Sequence, residues 1–358
     1  MAPNSRRRYR KYRSGFVLVT TAVTIIVLLG LLGLAIDVGH IFVARSELQI
    51  FADEAAFAAT FELDGTSQGI TRAQNVALTG SVPGAPINRW NFGTQTAPAA
   101  TVKFSTTPGG TYSASPSNAA GYRFIQIQVT ASVPVYFLPL IPGIPTTKNI
   151  TVTSIAGQDQ QTSLGDGVAP FSPDAHNPAD ANFGYTPGGL YTLRWPPNGQ
   201  LKKQGCPGDS GFSPGGGSSD RGYIDIGQGN GNSALRDAVV DNNFHLAQPL
   251  QIGSPIDTVP GQKNVSSAID ERFGEDTDTS HATFSTYTGN GRRLLTVPVN
   301  DGSDAGLIVG FALFFLQPNA CGDKNNSPCC AEYVGPAVKG SSRRGGGTAG
   351  LYGVQLVQ

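Results

Sequence analysis

A single apolar stretch, residues 16–36, constrains the fold of this chain more than any other feature. Its sequence, FVLVTTAVTIIVLLGLLGLAI, contains no charged residue. At about 1.5 Å of rise per residue, a helix over it would be about 32 Å long, close to the roughly 30 Å hydrocarbon core of a bilayer. A soluble core helix of this length would show a polar stripe, and the stretch shows none. We therefore expect a transmembrane helix with limits at Phe16 and Ile36.

Basic residues without acidic neighbours precede the stretch, and Asp37 with a mixed-charge sequence follows it. These topology-setting residues are Arg6, Arg7, Arg8, Arg10, Lys11 and Arg13. By the positive-inside rule, residues 1–15 stay in the cytoplasm and the chain beyond Asp37 is exported. A cleaved signal peptide is the alternative, with Gly33-Leu34-Ala35 as its cleavage site. Apolar regions of signal peptides usually span only about 7–15 residues, which favours the anchor.

The composition of the chain limits the classes of partner. Charged residues make up 14% of the chain, against about 25% in typical soluble proteins. The 46 glycines and 25 prolines favour strands, turns and loops over long helices. The basic cluster is confined to the N-terminus, whereas nucleic-acid binding needs basic residues spread over a folded face. We expect no nucleic-acid partner, and we expect the N-terminal cations to contact anionic lipid head groups.

Four cysteines follow the apolar stretch, at Cys206, Cys321, Cys329 and Cys330. An even number in an oxidising compartment predicts disulfides. Adjacent cysteines bond to each other only with strain, so Cys321 is expected to pair with one of the adjacent residues and Cys206 with the other. A zinc site is the alternative, but two adjacent ligands and the lack of paired Cys-x-x-Cys motifs disfavour it.

The periodicity of the sequence predicts an α+β fold beyond the membrane. Apolar residues recur at helical spacing after the apolar stretch, and they predict that the first helix continues to about Leu63. These residues are Val38, Ile41, Leu48, Ala52, Ala55 and Ala59. This alanine-rich face of residues 38–59 suits either packing on a sheet or self-association between copies. Alternating strands at 101–104, 122–135 and 149–155 complete a pilin-like unit over residues 37–157.

The remainder of the chain divides into two predicted segments. Residues 158–221 are rich in proline and glycine and are interpreted as a linker or loop region. Three aromatic residues, Tyr185, Tyr191 and Trp195, indicate that part of this region folds. Residues 222–358 are predicted to form a mainly β C-terminal domain, in which the strand over 307–316 is apolar on both faces and therefore central.

One short motif imitates the nucleophile site of chymotrypsin-like proteases. Residues 206–211 read CPGDSG, which would make Ser210 the nucleophile. That chemistry also needs a histidine base, and the exported histidines before it are His40, at the membrane surface, and His176, in a proline-rich loop. The expected final glycine is Phe212. We therefore expect no enzymatic activity, with a secreted serine hydrolase as the alternative.

Two aspartate-rich loops resemble metal sites only in part. Residues 301–305 follow a strand, as a von Willebrand factor A metal site would, but Ala305 replaces a ligating hydroxyl. Residues 276–280 read DTDTS and lack the glycine and terminal glutamate of a calcium loop, so we predict a solvated loop. The histidines are scattered. We expect no metal and no cofactor.

The N-terminal part resembles the TadE/TadG-like family of Flp (tight-adherence) pilus assembly proteins. The resemblance depends on Arg13-Ser14-Gly15, on the span end from Gly33 to Gly39 (GLAIDVG), and on the helix motifs ARSELQ and ADEAA at 44–49 and 52–56. The strands predicted within residues 122–155 fit the strands that usually follow the N-terminal helix in this family. The region from Gly222, with Pro260-Gly261 and residues 307–315, resembles the C-terminal part of longer TadG-like proteins.

The resemblance implies a single-pass protein of the bacterial inner membrane, with its C-terminus outside the cytoplasm, that helps assemble, anchor or export an adhesive pilus. Its expected partners are the membrane and pilus assembly or secretion proteins. Processed family pseudopilins carry a glutamate five positions after a glycine, whereas Gly15 is followed there by Thr20. We therefore expect an uncleaved anchor. A minor pilin or surface adhesin released into the fibre is the alternative.

Overall fold

One helix, α1 (Ser14–Thr60), contains the apolar stretch and continues well beyond it. It has no internal proline, and the hydroxyls of Thr20 and Thr24 bond back to the carbonyls of Val17 and Thr20, which satisfies them within the helix. Side chains from 17 to 32 are exposed, as expected for a surface that faces lipid. Among the described residues, α1 is the one helix long and apolar enough to cross a membrane.

The computed structural model describes residues 14–79, 81–82, 85–86, 99–116, 118–195, 205–212, 223–229, 231–259, 265–303, 306–321, 328–339, 344–347 and 350–357. The basic residues that predict the topology, Arg6, Arg7, Arg8, Arg10, Lys11 and Arg13, lie outside these ranges. The same holds for the side chain of Phe16, whereas Ile36 lies on α1 with its side chain exposed.

Beyond the apolar stretch, α1 buries a narrow alanine-rich stripe. Ala44, Leu48, Ala52 and Ala55 are at most 1% exposed. Small side chains at spacings of three and four residues let neighbouring backbone approach closely. Val38, which the sequence places on this face, is exposed instead, because the stripe passes through Asp37 and leaves the next residue about 100° around the helix. Self-association through this helix stays a prediction.

A second helix, α2 (Ser67–Thr79), follows a tight turn. The Thr66 hydroxyl accepts the N–H of Gly69, which is the geometry of an N-cap. Arg72 on α2 reaches back to the carboxylates of Glu62 and Asp64, at 2.9 and 2.5 Å. Capping by Thr66 compensates for the helix-weakening Gly69 in the first turn of α2.

Within the described residues the strands form four sheets. Together with the helices they confirm the α+β class with a mainly β C-terminal region. The strand order is β12-β13-β5-β4-β3 in the largest sheet and β7-β11-β10-β9 in the next, and β1-β2 and β6-β8 form two-stranded pairs. The strands are β1 (Ser81–Val82), β2 (Ala85–Pro86), β3 (Ala99–Ser105), β4 (Phe124–Pro134), β5 (Thr147–Gln160), β6 (Ser163–Asp166), β7 (Leu190–Arg194), β8 (His245–Gln251), β9 (Leu294–Asn300), β10 (Ile308–Cys321), β11 (Cys329–Tyr333), β12 (Ala337–Val338) and β13 (Leu351–Leu356). Two short helices, α3 (Asn232–Val240) and α4 (Ser266–Gly274), lie between β7 and β9 in sequence.

The chain divides into two compact units, one within residues 1–52, 88–100 and 128–153, the other within 53–87, 101–127 and 154–358. Strand β10 is a central strand of the larger unit, as its apolar sequence predicts. Its neighbours in the sheet are β9 and β11. Alternate residues of β10 enter different hydrophobic clusters, with Phe314 and Leu316 in one and Leu313 and Phe315 in the other. Burial on both faces explains why this strand shows no polar alternation.

The described part of the predicted linker region, residues 158–195 and 205–212, contributes to this unit. It contains the end of β5, then β6 and β7, and Tyr185, Tyr191 and Trp195 are buried. These aromatic side chains supply enough apolar area to order a proline-rich backbone. The domain boundaries predicted from the sequence stay a prediction.

A buried glutamine ties the end of α1 to strand β5. The Gln158 side chain is fully buried, and its amide nitrogen donates to the carbonyls of Thr60 and Leu63 at 2.8 and 2.7 Å. Its amide oxygen accepts the N–H of Gly346 at 2.9 Å. Gln158 thus donates to the carbonyl of the last residue of α1 and to that of Leu63 in the following turn, and its own buried amide is satisfied.

We expect Gln158→Leu to lower the free energy of unfolding by about 2–4 kcal/mol, since an unpaired buried polar group costs about 1–3 kcal/mol. The measurement is denaturant unfolding of the full chain in detergent micelles. Gln160→Leu, at an exposed position of the same strand, is the matched control and is expected to change stability little. Equal effects of the two substitutions would contradict the role given to Gln158.

Candidate functional site

The carboxylate of Asp37 lies immediately after the apolar stretch and accepts three successive backbone N–H groups. The N–H of Tyr136 is 2.9 Å from its Oδ1, and those of Phe137 and Leu138 are 2.8 and 2.5 Å from its Oδ2. Asp37 is fully buried. Hydrogen bonds to a carboxylate are stronger than those between neutral groups, so this residue holds the loop that follows β4 firmly against α1.

Two further residues of α1 contact the same loop, one turn before and one turn after Asp37. Gly33 is buried, and a Cβ added to it would lie 2.6 Å from the Cβ of Phe137, so only glycine permits this contact. His40 places its Nδ1 3.2 Å from the carbonyl oxygen of Pro134. We call Gly33, Asp37, His40 and the loop residues that they contact the juxtamembrane junction.

Sequence reasoning missed the junction. It interpreted Gly33 as a small residue of the helix end, Asp37 as a charge that ends the span, and His40 as a histidine at the membrane surface. The sequence contains one indication that Gly33, Asp37 and His40 act together, namely their spacing. They stand at positions i, i+4 and i+7, which lie on one helix face. Nothing in the sequence indicates that residues about a hundred positions later would contact that face.

The cysteines are joined as two pairs, Cys206 with Cys330 and Cys321 with Cys329. Adjacent residues of a strand project to opposite faces of a sheet, so Cys329 and Cys330 meet different partners. Cys321 lies opposite Cys329 in the register of β10 and β11. The hydroxyl of Thr192, which lies opposite Cys330, accepts the N–H of Cys206 and holds that residue beside its partner.

The structure does not join Ser210 to a histidine among the described residues. Ser210 is exposed and follows the 3-10 turn Pro207–Asp209. The nearest histidine interaction belongs to the preceding residue: the Nε2 of His176 lies 2.6 Å from the buried carboxylate of Asp209. The His176 ring also stacks on Phe212, with 4.1 Å between ring centroids. This arrangement anchors a loop and does not position a base on the Ser210 hydroxyl.

The aspartates of residues 276–280 are buried, so the prediction of a solvated loop is wrong. Asp276 accepts the hydroxyl of Tyr287 at 2.6 Å, and Asp278 accepts the N–H of Thr288 at 2.9 Å and contacts the His281 ring at 2.7 Å. The bond from Thr288, against the opposing effect of burial and with help from His281, lowers the pKa of Asp278 well below the usual aspartate value. These carboxylates organise a turn within the protein.

The loop that resembles a von Willebrand factor A site is also turn-like where it is described. Asp301 accepts both the N–H and the hydroxyl of Ser303, at 3.0 and 2.7 Å, and the N–H of Leu307. Ala305, on which the sequence argument depends, lies outside the described residues. Within the described ranges, no three His, Cys, Asp or Glu side chains are grouped so that they could hold a metal ion.

Comparison with known proteins agrees with the resemblance noted in the sequence. A family model described as putative Flp pilus-assembly TadE/G-like matches residues 15–75. The matched segment contains the apolar stretch, Gly33, Asp37 and His40, and it ends before the loop that they contact. The family is a pilus-assembly family and not one of enzymes. Comparison with curated proteins and with solved structures gave no significant match.

Proposed function

We propose that this chain, whose residues 15–75 match the TadE/G-like pilus-assembly model, is a membrane-anchored component of a Flp-type pilus assembly or secretion machinery. Phe16 and Ile36 limit the anchor, residues 1–15 stay in the cytoplasm, and the folded part lies outside the inner membrane. The role is non-enzymatic: the exported surfaces bind pilus or secretion proteins. The two disulfides support an oxidising compartment for this part.

The observation that carries the proposal is the juxtamembrane junction. An apolar N-terminal helix suits either an anchor or a signal sequence. Cleavage after Ala35 would remove Gly33, the residue against which Phe137 packs. Because the last turn of the segment is part of the folded structure, the junction favours an uncleaved anchor over a signal peptide cleaved after Ala35. Cleavage before Phe16 would leave the junction intact, and the minor pilin is disfavoured instead by Thr20, which stands where processed family members carry a glutamate.

Membrane extraction and topology mapping test the anchor. We expect the intact chain to stay in bacterial membranes after an alkaline carbonate wash, and we expect protease to remove a C-terminal tag on spheroplasts. The N-terminal sequence of the membrane-bound protein should begin before Phe16. A mature N-terminus at Phe16 in sheared pili would instead identify a minor pilin, and one at Ile36 would identify a secreted protein.

Complementation tests the non-enzymatic role. A strain that lacks this chain is expected to lose assembled pili, and the Ser210→Ala variant is expected to restore them as well as the parent does. Pili are counted by electron microscopy, and the amount of each protein in the membrane is compared by immunoblot. Loss of pili with Ser210→Ala at normal protein level, together with fluorophosphonate labelling of the parent alone, would establish the hydrolase alternative.

A further inference from the structure

We propose that residues 135–146, the loop between β4 and β5, insert into the membrane beside α1 as a second, non-spanning contact with lipid. The inference rests on the proposed function, because it needs α1 to be a membrane anchor. Four observations carry it: the composition of the loop, its level along α1, the state of its backbone N–H groups, and the apolar surface next to it.

The loop is apolar and exposed. Its sequence, VYFLPLIPGIPT, contains no charged residue. Leu140 is 79% exposed and Ile141 57%, and Tyr136, Phe137 and Ile144 are also exposed. Single exposed apolar residues are ordinary on a protein surface, but a contiguous group of this kind marks a place where another apolar phase or molecule is bound.

The level of the loop along α1 is set by the juxtamembrane junction. Phe137 packs on Gly33, which lies inside the apolar stretch, and Leu138 donates to Asp37, the first residue beyond it. These two helix residues are four positions apart, or about 6 Å along the axis. If the bilayer covers α1 up to Ile36, the side chain of Phe137 is at the depth of the last turn in lipid.

Most backbone N–H groups of the loop have a hydrogen-bond partner within the protein, as a medium without water requires. Inside a bilayer every N–H group needs a partner within the protein. Pro139, Pro142 and Pro145 have no N–H, and Asp37 accepts those of Tyr136, Phe137 and Leu138. Four more N–H groups donate to carbonyl oxygens of the loop: Val135 to Thr146, Leu140 to Phe137, Ile141 to Leu138 and Ile144 to Ile141. Seven of the nine N–H groups in 135–146 thus have a partner within the protein.

Lipid fits this surface better than a protein partner does. The exposed side chains of Leu34, Ile36 and Val38 on α1 lie at the same level, so the loop and the helix end present one apolar region where a bilayer must meet the chain. Tyr136 supplies the aromatic residue that membrane interfaces favour, and Lys148, just after the loop, supplies a cation for lipid phosphate. Contact with a second copy or another membrane protein would require an exposed apolar patch but would not require the backbone N–H groups to be paired. Lipid requires both, and the loop has this patch with most of its N–H groups paired.

Depth-dependent quenching of an added tryptophan tests the insertion. The purified full-length chain, as the only protein, is reconstituted into vesicles of phosphatidylcholine brominated in the upper acyl chain. Leu140→Trp is compared with Leu32→Trp within the apolar stretch and with Ile50→Trp on α1, about 20 Å beyond Asp37 by helix rise. All three parent residues are exposed, so the substitutions disturb little packing. Emission is measured as the difference from the parent chain, and iodide serves as the aqueous quencher.

We expect brominated lipid to quench most of the emission added by Leu140→Trp and by Leu32→Trp, and iodide to quench only that of Ile50→Trp. Ile141→Trp provides a second position in the loop and should behave as Leu140→Trp does. Quenching of both loop variants by iodide would overturn the inference and leave the anchor intact. Protection of both from both quenchers would also overturn it, in favour of contact with a second copy. Failure of lipid to quench Leu32→Trp would overturn the anchor itself.

Discussion

Replacement of Asp37 with alanine is expected to release the loop after β4 from α1. Without the carboxylate, the N–H groups of Tyr136, Phe137 and Leu138 lose their acceptor together. Loss of one hydrogen bond to a charged acceptor corresponds to about a tenfold or larger change in an opening equilibrium, so exchange at these amides should rise by at least that factor. Hydrogen-exchange mass spectrometry of peptides that cover 134–141, in the full chain in lipid nanodiscs, gives the measurement.

Two variants sharpen this test. Asp37→Asn keeps the size of the side chain but leaves one acceptor oxygen, so its exchange rates should lie between those of the parent and Asp37→Ala. Glu47→Ala removes an exposed carboxylate from the same helix and should leave the loop unchanged. The assignment would be wrong if Asp37→Ala left the three amides protected, or if Glu47→Ala exposed them equally.

Loss of the Cys206–Cys330 disulfide should destabilise the protein much more than loss of Cys321–Cys329. The first joins residues 124 positions apart and the second residues 8 apart. Under the chain-entropy model, removing these constraints on the unfolded state costs about 5 and about 2.5 kcal/mol. The double variants to alanine are compared by denaturant unfolding in detergent without reductant.

Connectivity can be checked independently of stability. Digestion without reductant should give one linked peptide pair that contains Cys206 and Cys330, and a second that contains Cys321 and Cys329. A pair that links Cys206 to Cys329, or a larger loss of stability from the shorter loop, would contradict the arrangement. The single variant Cys206→Ala should leave Cys330 reactive towards a maleimide, because its partner is then absent.

Much of the helical framework follows from local patterns. The length of α1 depends on residues within one or two turns, and the periodicity places its end at about Leu63, within three residues of the observed Thr60. The central position of β10 also follows from its own composition, since residues 308–316 contain no polar side chain and must be covered on both faces. The order of the strands within each sheet does not follow from such patterns, because it depends on contacts between distant segments.

The candidate site is non-local, which explains why the sequence conceals it. Asp37 carries a charge next to an apolar stretch, and the simplest interpretation of such a residue is that it ends the span in water. The donors to its carboxylate are backbone N–H groups, which every residue except proline carries, so the sequence does not identify them. The same reason hides Gln158, whose partners are the backbone groups of Thr60, Leu63 and Gly346.

The pairing of cysteines shows an intermediate case. Sequence spacing disfavours a bond between Cys329 and Cys330, because it would be strained, and leaves two arrangements open. Choosing between them needs the register of β11 against β10, which places Cys321 opposite Cys329. It also needs the position of Cys206, which depends on Thr192 in a region that the sequence indicates mainly as loop.

The separation of Asp37 from the amides that it binds has a consequence for biogenesis. Its three bonds join residues 99, 100 and 101 positions apart. In the proposed topology, α1 enters the bilayer while Asp37 is still hydrated by water and lipid head groups. The junction would then close only after β4 has been exported, so membrane insertion would precede the attachment of the folded part to its anchor.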